Sequence, residues 1–491
     1  MITRRGMLAG LLVGTALPAW AEGMDRSPRP VARGGAPAAA VATPAVVDAG
    51  ALVKAADLGG TVGYVVADAE TGAVLEAREP EAMLPPASVA KAVTSLYALE
   101  KLGRGHRFAT RVLATGPVQN GIVQGDLVLA GGGDSTLQTD QLGDLVKRLA
   151  GQGLRGVTGG FLRWEGALPQ LEQVAGDQPV QVGYNPAISG LCLNFNRVNF
   201  EWKRAGDGWS VQMDARGERF LPLVEMTRMS VARRETPIFT YDRGADHEDW
   251  TVASTALGKG GSRWLPVRLP GLYAAEVFRT LARAQGIKLP APVAVPALPG
   301  GTELGRVESE DLPEVLRAML KFSTNLTAEC SGLSASGKAD LATSGAAMTD
   351  WARASFGIGA RFVDHSGLGG ASRISAADMV KVLLADHAQG RGLRPILRDV
   401  GMKDDKGKVI KGHPVKVVAK SGTLNFVSGL AGHIIPPGGR EMVFAIFTGD
   451  PDRRDAVPVA KREDPPGVKA WTARSRRLQG QLISRWAAVY G

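Results

Sequence analysis

Residues suited to redox or metal chemistry are scarce in this chain of 491 residues: cysteine occurs twice and histidine six times. No Cys-x-x-Cys pair and no His-Glu-x-x-His run is present, so the usual zinc-binding spacings are missing and no metal or cofactor is expected. No Gly-x-Ser-x-Gly turn occurs, which argues against a Ser-His-Asp hydrolase built on a nucleophile elbow. Gly131-Gly132-Gly133-Asp134 lacks the Gly-Lys-Ser/Thr that would make it a phosphate cradle, and reads as a turn. Aromatic residues make up 6%, and no Lys/Arg block is interleaved with them, so nucleic acid is not an expected partner. Beyond the first 21 residues no stretch approaches the roughly 20 apolar residues of a membrane span. The two cysteines lie in the apolar segments Leu191-Cys192-Leu193 and Glu329-Cys330-Ser331, and two separate buried thiols are expected.

What remains is an ordinary globular composition, 44% hydrophobic and 22% charged, with a net charge of +10. The length points to two or three domains. The positive balance suits an anionic polymer such as cell wall, or an anionic membrane surface, with which a loose association is compatible. The N-terminus has the form of a cleaved export signal over 1–21: Arg4-Arg5, a short apolar run from Gly6 to Leu17, then Ala19-Trp20-Ala21. Thr3-Arg4-Arg5-Gly6-Met7-Leu8 further resembles a twin-arginine signal, so a periplasmic location is expected. Residues 22–47, rich in Ala, Pro and Gly without apolar period, form a flexible tether.

Thr61 to Asp68 alternates as a strand, and Glu70-Thr71-Gly72 turns it into a second. After Pro85-Pro86, Ala87 to Leu102 has helical spacing and ends at Gly103. From 105 to 300 the pattern becomes short strands and turns, Gly190-Leu191-Cys192-Leu193 among the strands, with a helix near Leu272 to Gln285. Helices resume over Leu312–Leu333 and Ala376–Ala388. Three strands come next, within 415–420, 428–435 and 441–448. A last helix carries Trp471, Leu478, Leu482 and Trp486 as a stripe expected to pack on its own sheet rather than on a membrane. The expected organisation is 48–104 plus 301–491 as one domain, with 105–300 inserted.

A serine hydroxyl needs a neighbouring base to become a nucleophile. Ser88-Val89-Ala90-Lys91 supplies one, since i and i+3 share a helix face. Ser88 is the only serine in the chain with lysine three residues on. It falls in the first helical turn, where unpaired N–H groups favour developing negative charge. Ser323-Thr324-Asn325 adds a hydroxyl and an amide. Lys420-Ser421-Gly422-Thr423 adds a cation, two hydroxyls and a residue that lets substrate lie against a strand edge. Each alone is weak evidence; the three in this order are not.

Ser-x-x-Lys, Ser-x-Asn and Lys-Ser/Thr-Gly together resemble the serine β-lactamases and penicillin-binding proteins. The long stretch from Ser88 to Ser323 is similar to that of the low-molecular-mass D-alanyl-D-alanine carboxypeptidase/endopeptidases with large inserts, as are Leu193-Asn194-Phe195-Asn196 and Asp364-His365-Ser366-Gly367-Leu368. The resemblance implies an α+β fold, a five-stranded antiparallel sheet flanked by helices, with a mainly-β inserted region. It implies Ser88 as nucleophile, Lys91 as base, Ser323 as proton relay and Asn325 on the substrate amide. Lys420 with Ser421 or Thr423 would bind the terminal carboxylate beside Gly422, and the N–H groups of Ser88 and Thr423 would form an oxyanion hole. The implied partners are peptidoglycan stem peptides, with β-lactams as inhibitors. The alternatives are a β-lactamase of the same fold and a catalytically inert cell-wall-binding module. Trp164 stands where many members carry an acid that contacts the substrate side chain, which removes one basis for side-chain preference.

If export uses the twin-arginine route, replacing Arg4-Arg5 by Lys-Lys is expected to hold the precursor in the cytoplasm. Fractionation with immunoblotting checks this; normal export of the variant would point to the general secretory route.

Overall fold

The structure is a computed structural model and describes residues 47–403 and 408–491. The expected signal over 1–21, and the tether up to residue 46, lie outside the described residues.

Strands from both ends of the chain build one antiparallel sheet, in the spatial order Arg398–Asp399, Lys416–Leu424, Val427–Ile435, Met442–Gly449, Thr61–Asp68, Val74–Arg78. Five of these are the strands expected; the two-residue Arg398–Asp399 is an added edge. The halves join where Thr61–Asp68 pairs with Met442–Gly449, from Thr61 opposite Gly449 to Asp68 opposite Met442. Side chains of a strand alternate between faces, and both faces of this sheet are covered. Val65, Ala67, Val443, Ala445 and Phe447 point to one core, shared with helices Ala90–Leu102, Leu312–Phe322, Leu341–Phe356 and Ala376–Gln389. Tyr64, Val66, Phe444 and Ile446 point to the other, shared with helices Ala49–Ala56 and Val468–Val489. There Trp471, Leu478, Leu482 and Trp486 are fully buried, so the apolar stripe of the C-terminal helix is spent on the sheet. No helix among the described residues is long and apolar enough to cross a membrane.

Ala90–Leu102 is buried along ten consecutive positions, Ala90 to Leu99. Burial of this kind suits a helix with apolar or small residues on every side. Its polar members are therefore satisfied internally: Thr94 Oγ1 donates to the His365 carbonyl at 2.6 Å, and Ser95 Oγ to the Lys91 carbonyl at 2.7 Å.

The segment between these halves has its own apolar core, including Leu129, Leu142, Phe161, Phe200, Trp250 and Phe278. Its five-stranded sheet has the order Pro292–Ala294, Phe161–Trp164, Leu127–Gly131, Ala109–Ala114, Thr302–Glu308. Thr302–Glu308 thus pairs with the inserted region although it comes after residue 301. Three three-stranded sheets and the helices Thr139–Gly151 and Pro270–Ala284 complete it.

Two expectations need correction. The continuous helix over 312–333 is two helices, Leu312–Phe322 and Asn325–Ser336, because Ser323 adopts a left-handed φ of 58°. Gly190-Leu191-Cys192-Leu193 is a buried turn, not a strand; Asn194, Phe195 and Asn196 come after it with φ of 51°, 57° and 52°, which no strand accommodates.

Candidate active site

Three chain segments converge on Ser88. A short 3-10 turn, Ala87–Val89, leads into Ala90–Leu102 and leaves the Ser88 side chain half-buried at its mouth. Ala87 holds a φ of 47°, a conformation non-glycine residues seldom adopt, and thereby turns the chain into the helix at the nucleophile. The break at Ser323 turns its hydroxyl and the first residue of the next helix, Asn325, toward the same point. Strand Lys416–Leu424 passes on the other side. A Cβ on Gly422 would stand 2.6 Å from the Pro86 carbonyl oxygen and 2.8 Å from the Ser88 nitrogen, so only glycine permits this approach.

Lys91 has no exposure to solvent. Its Nζ lies 2.9 Å from Ser88 Oγ, 2.7 Å from Asn325 Oδ1 and 2.7 Å from the Ser366 carbonyl oxygen. The last two can only accept. A neutral amine has two N–H donors and one lone pair. Donation to Asn325 and Ser366 leaves the lone pair for the Ser88 hydroxyl, so the uncharged form is fully satisfied and already directed at the nucleophile. Burial pushes Lys91 down to about 8, against the opposing pull of the Glu329 and Asp364 carboxylates.

Lys420, 1% exposed, donates to Ser323 Oγ at 3.0 Å and to the Ser421 carbonyl at 2.7 Å. Burial pushes it down to about 6, helped by the positive charges of Lys91 and Arg398. Arg398 donates to Ser421 Oγ and Arg476 to Thr423 Oγ1, each at 3.3 Å. All eight residues singled out in the sequence, Ser88, Lys91, Ser323, Asn325, Lys420, Ser421, Gly422 and Thr423, are thus brought to one place. The cleft beside them measures about 480 Å³, and Tyr184, Arg454, Arg462 and Arg476 line its walls with Ser88, Ser323, Asn325 and Thr423.

Sequence reasoning gave no role to the residues that hold this arrangement. Glu329, one turn after Asn325 and fully buried, accepts from the backbone N–H of His365 at 3.0 Å and of Ser366 at 2.8 Å. Asp364 accepts from Gly367 at 2.7 Å and Gly369 at 2.6 Å. Together they fix the loop that offers the Ser366 carbonyl to Lys91. Burial drives the pKa of both carboxyls up. Asn325 Nδ2 donates to the Tyr184 carbonyl at 2.8 Å, a contact from the inserted region. The i, i+4 spacing of Asn325 and Glu329 was a visible signal; nothing in the sequence pointed to Tyr184, Arg398 or Arg476. His365, next to Asp364 and Ser366, is no triad member: it is buried, bonded to Ser344 Oγ at 2.6 Å and pushed down to about 3, hence neutral. Trp164 packs in an apolar cluster with Leu113, Val128, Ala130, Leu162 and Leu298.

Potential metal donors meet at His387, His433 and Glu441, whose ligand atoms lie within 4.8 Å of one another. Glu441 is already paired there with the Arg394 guanidinium at 2.8 Å. Because that cation competes directly for the carboxylate, the donor set fits an ion poorly.

A serine hydrogen-bonded to a buried lysine three residues on, at the start of a helix beneath an antiparallel sheet, marks the class of penicillin-binding proteins and serine β-lactamases, and this chain falls in that class. Its sequence matches the D-Ala-D-Ala carboxypeptidase 3 (S13) family over residues 47–465. It is 26% identical over 434 residues to a D-alanyl-D-alanine carboxypeptidase of Actinomadura, covering 81% of this chain and 80% of the relative. It is 28% identical to a carboxypeptidase of Mycobacterium tuberculosis, covering 85% and 83%. The crystal structure of penicillin binding protein 4 from Haemophilus influenzae superposes with a TM-score of 0.72 at 19% identity, covering 89% of this chain and 99% of that one. The chain belongs to the D-Ala-D-Ala carboxypeptidase 3 (S13) family and is a serine-type D,D-peptidase.

Gly422→Ala is expected to leave the circular dichroism spectrum unchanged and to slow acylation by a chromogenic β-lactam roughly tenfold to a hundredfold. Its Cβ must push Ser88 and Pro86 away from the strand. An unaltered rate would mean that this contact does not set the position of the nucleophile.

Proposed function

We propose that the chain acts outside the cytoplasm on peptidoglycan stem peptides ending in D-Ala-D-Ala, through an acyl-enzyme on Ser88. The observation that carries this reading is the position of Lys91 Nζ, 2.9 Å from Ser88 Oγ and 2.7 Å from two pure acceptors, so that once neutral it can direct its lone pair at Ser88. Ser88 Oγ attacks the carbonyl of the penultimate D-Ala while Lys91 takes its proton. The N–H groups of Ser88 and Thr423 receive the developing oxyanion. Ser323, bonded to Lys420, passes a proton to the departing D-Ala nitrogen. The substrate carboxylate sits by Lys420, Ser421 and Thr423, and the guanidinium of Arg476 on Thr423 adds a charge-assisted partner. Asn325 orients the substrate amide. Water then releases the acyl group. Location in the periplasm after cleavage of a signal over 1–21, by the twin-arginine route, is part of the same proposal. The division at 105–300 also belongs to it, with the insert's separate apolar core as support.

The same attack opens a β-lactam ring, and the rival reading as a β-lactamase depends on how fast the resulting ester is hydrolysed. Rapid deacylation needs a carboxylate free to activate water. Glu329 and Asp364 have both oxygens occupied by backbone N–H groups. On the cleft wall, Glu463 is tied to Arg263 and Gln181, and Asp464 to Lys469 at 2.6 Å. These ties favour a long-lived acyl-enzyme.

Incubation with penicillin is expected to leave a covalent adduct on Ser88 that persists for minutes or longer, seen by intact mass and peptide mapping. Ser88→Ala should abolish both the adduct and D-alanine release from a pentapeptide. Fast drug hydrolysis without lasting adduct favours a β-lactamase; neither adduct nor D-alanine from folded protein favours an inert binding module.

The pH profile is set by the two lysines: between about 6 and about 8 the free pair holds one proton, which these values put on Lys91 and which a bound carboxylate would draw to Lys420. Below that window both are charged and Lys91 cannot accept a proton. Above it both are neutral and the carboxylate loses its cation. A bell-shaped kcat/KM for D-alanine release is expected, with Lys91→Arg inactive throughout because guanidinium stays protonated. A profile that rises without limit toward alkaline pH would remove Lys420 from carboxylate binding.

A further inference from the structure

The chain has only two cysteines, and the fold places them side by side. Cys192 belongs to the buried turn of the inserted region. Cys330 lies in the middle of helix Asn325–Ser336. Each is 1% exposed, and both sit in one apolar cluster with Ile188, Leu326 and Leu333. The Cys192 sulfur is oriented by the Ser189 carbonyl at 3.1 Å and by Asn196 Nδ2 at 3.4 Å. The neighbouring Cys192 sulfur and burial together hold the Cys330 thiol well above its ordinary range. Both are buried free thiols, as residue type suggested, but the fold brings them into contact with one another. A buried residue touches about 6–12 others, so two cysteines placed at random would meet in roughly one chain of this length in fifty.

We propose that Cys192 and Cys330 form a disulfide that staples the inserted region to the helix bearing Asn325 and Glu329. Both are thiols in this structure, and closing them is an oxidation. One cysteine thiolate attacks a disulfide donor, such as oxidised glutathione or a thiol–disulfide oxidoreductase, and expels one donor thiolate. The second cysteine then attacks the mixed disulfide, expelling the other donor sulfur. Two thiol protons leave, and the two electrons end on the donor, which is reduced to two thiols. Once the helix has docked, burial hides both sulfurs and disfavours the Cys330 thiolate, so the exchange belongs to folding rather than to the finished enzyme. The bridge would reinforce two existing ties between the same parts, the hydrogen bond of Ser135 Oγ to Thr327 Oγ1 at 3.1 Å and that of Asn325 to Tyr184.

The test is to unfold the full chain with reductant, refold it in a mixture of oxidised and reduced glutathione, block free thiols with iodoacetamide and map unreduced tryptic peptides. The expected result is a Cys192 peptide linked to the Cys330 peptide, with neither cysteine alkylated. The linked form should melt about 5 °C or more above the same protein refolded in reductant. Cys192→Ala should lose the linked peptide and the difference between the two refolding conditions. If a sample with a cooperative thermal transition keeps both thiols alkylatable, or carries glutathione on one of them, the proposal falls. Penicillin labelling of Ser88 in the same sample reads the peptidase function separately, so either conclusion can fail alone.

Discussion

An amine buried without solvent is the constraint on which the rest of the site depends. A charged lysine at the position of Lys91 carries a large desolvation cost, and a neutral one must still satisfy two donors and a lone pair. The chain meets these demands with two partners from distant segments, Asn325 at the start of a helix and Ser366 in a loop, and one close by, Ser88 in the 3-10 turn that leads into the helix of Lys91. Each partner needs support of its own. Glu329 and Asp364 hold the loop that carries Ser366, and the inserted region holds the Asn325 amide through Tyr184. The buried carboxyls draw Lys91 toward its charged form while burial pushes it toward the neutral one, which leaves the amine poised near physiological pH.

The second lysine extends the same logic. Lys420 is also buried, and the positive charge of Lys91 depresses it further, so in the proposed reaction a substrate carboxylate beside Lys420 would stabilise its charge and leave Lys91 free to act as base. Binding and activation are then one electrostatic event. The inserted region takes part in it rather than decorating it: Arg454 and Arg462 on the cleft wall are both anchored to its Asp177, at 2.9 and 2.8 Å, and its Arg263 pairs with Glu463.

Sequence made the chemistry legible because each reacting group requires a particular residue type at a fixed local spacing: Ser88 with Lys91, Ser323 with Asn325, and the run Lys420 to Thr423. The five long strands of the catalytic sheet and the packed C-terminal stripe were legible for the same reason, since alternation and helical period are local. The break at Ser323 was not, because apolar period continues across it and only a left-handed φ interrupts the helix. Leu191 to Leu193 misled because an apolar run buried in a turn has the composition of a strand. Helices Thr139–Gly151 and Leu341–Phe356 escaped notice among small and polar residues. Glu329 and Arg476 act through contacts with residues far along the chain, which no window on the sequence contains.

The pairing of Thr61–Asp68 with Met442–Gly449 also matters while the chain is being made. Ser88 and Lys91 emerge from the ribosome early, yet the strand with Lys420 and the strand that seats Thr61–Asp68 come more than three hundred residues later. At about 5–20 residues per second this is a delay on the order of tens of seconds. During it the first two strands have an unpaired edge, of the kind that recruits other chains. The inserted region, with its separate core, has most of that interval in which to fold. The nascent protein thus carries Ser88 for most of its synthesis without the rest of the sheet, and the edge of Thr61–Asp68 stays unpaired over the same period.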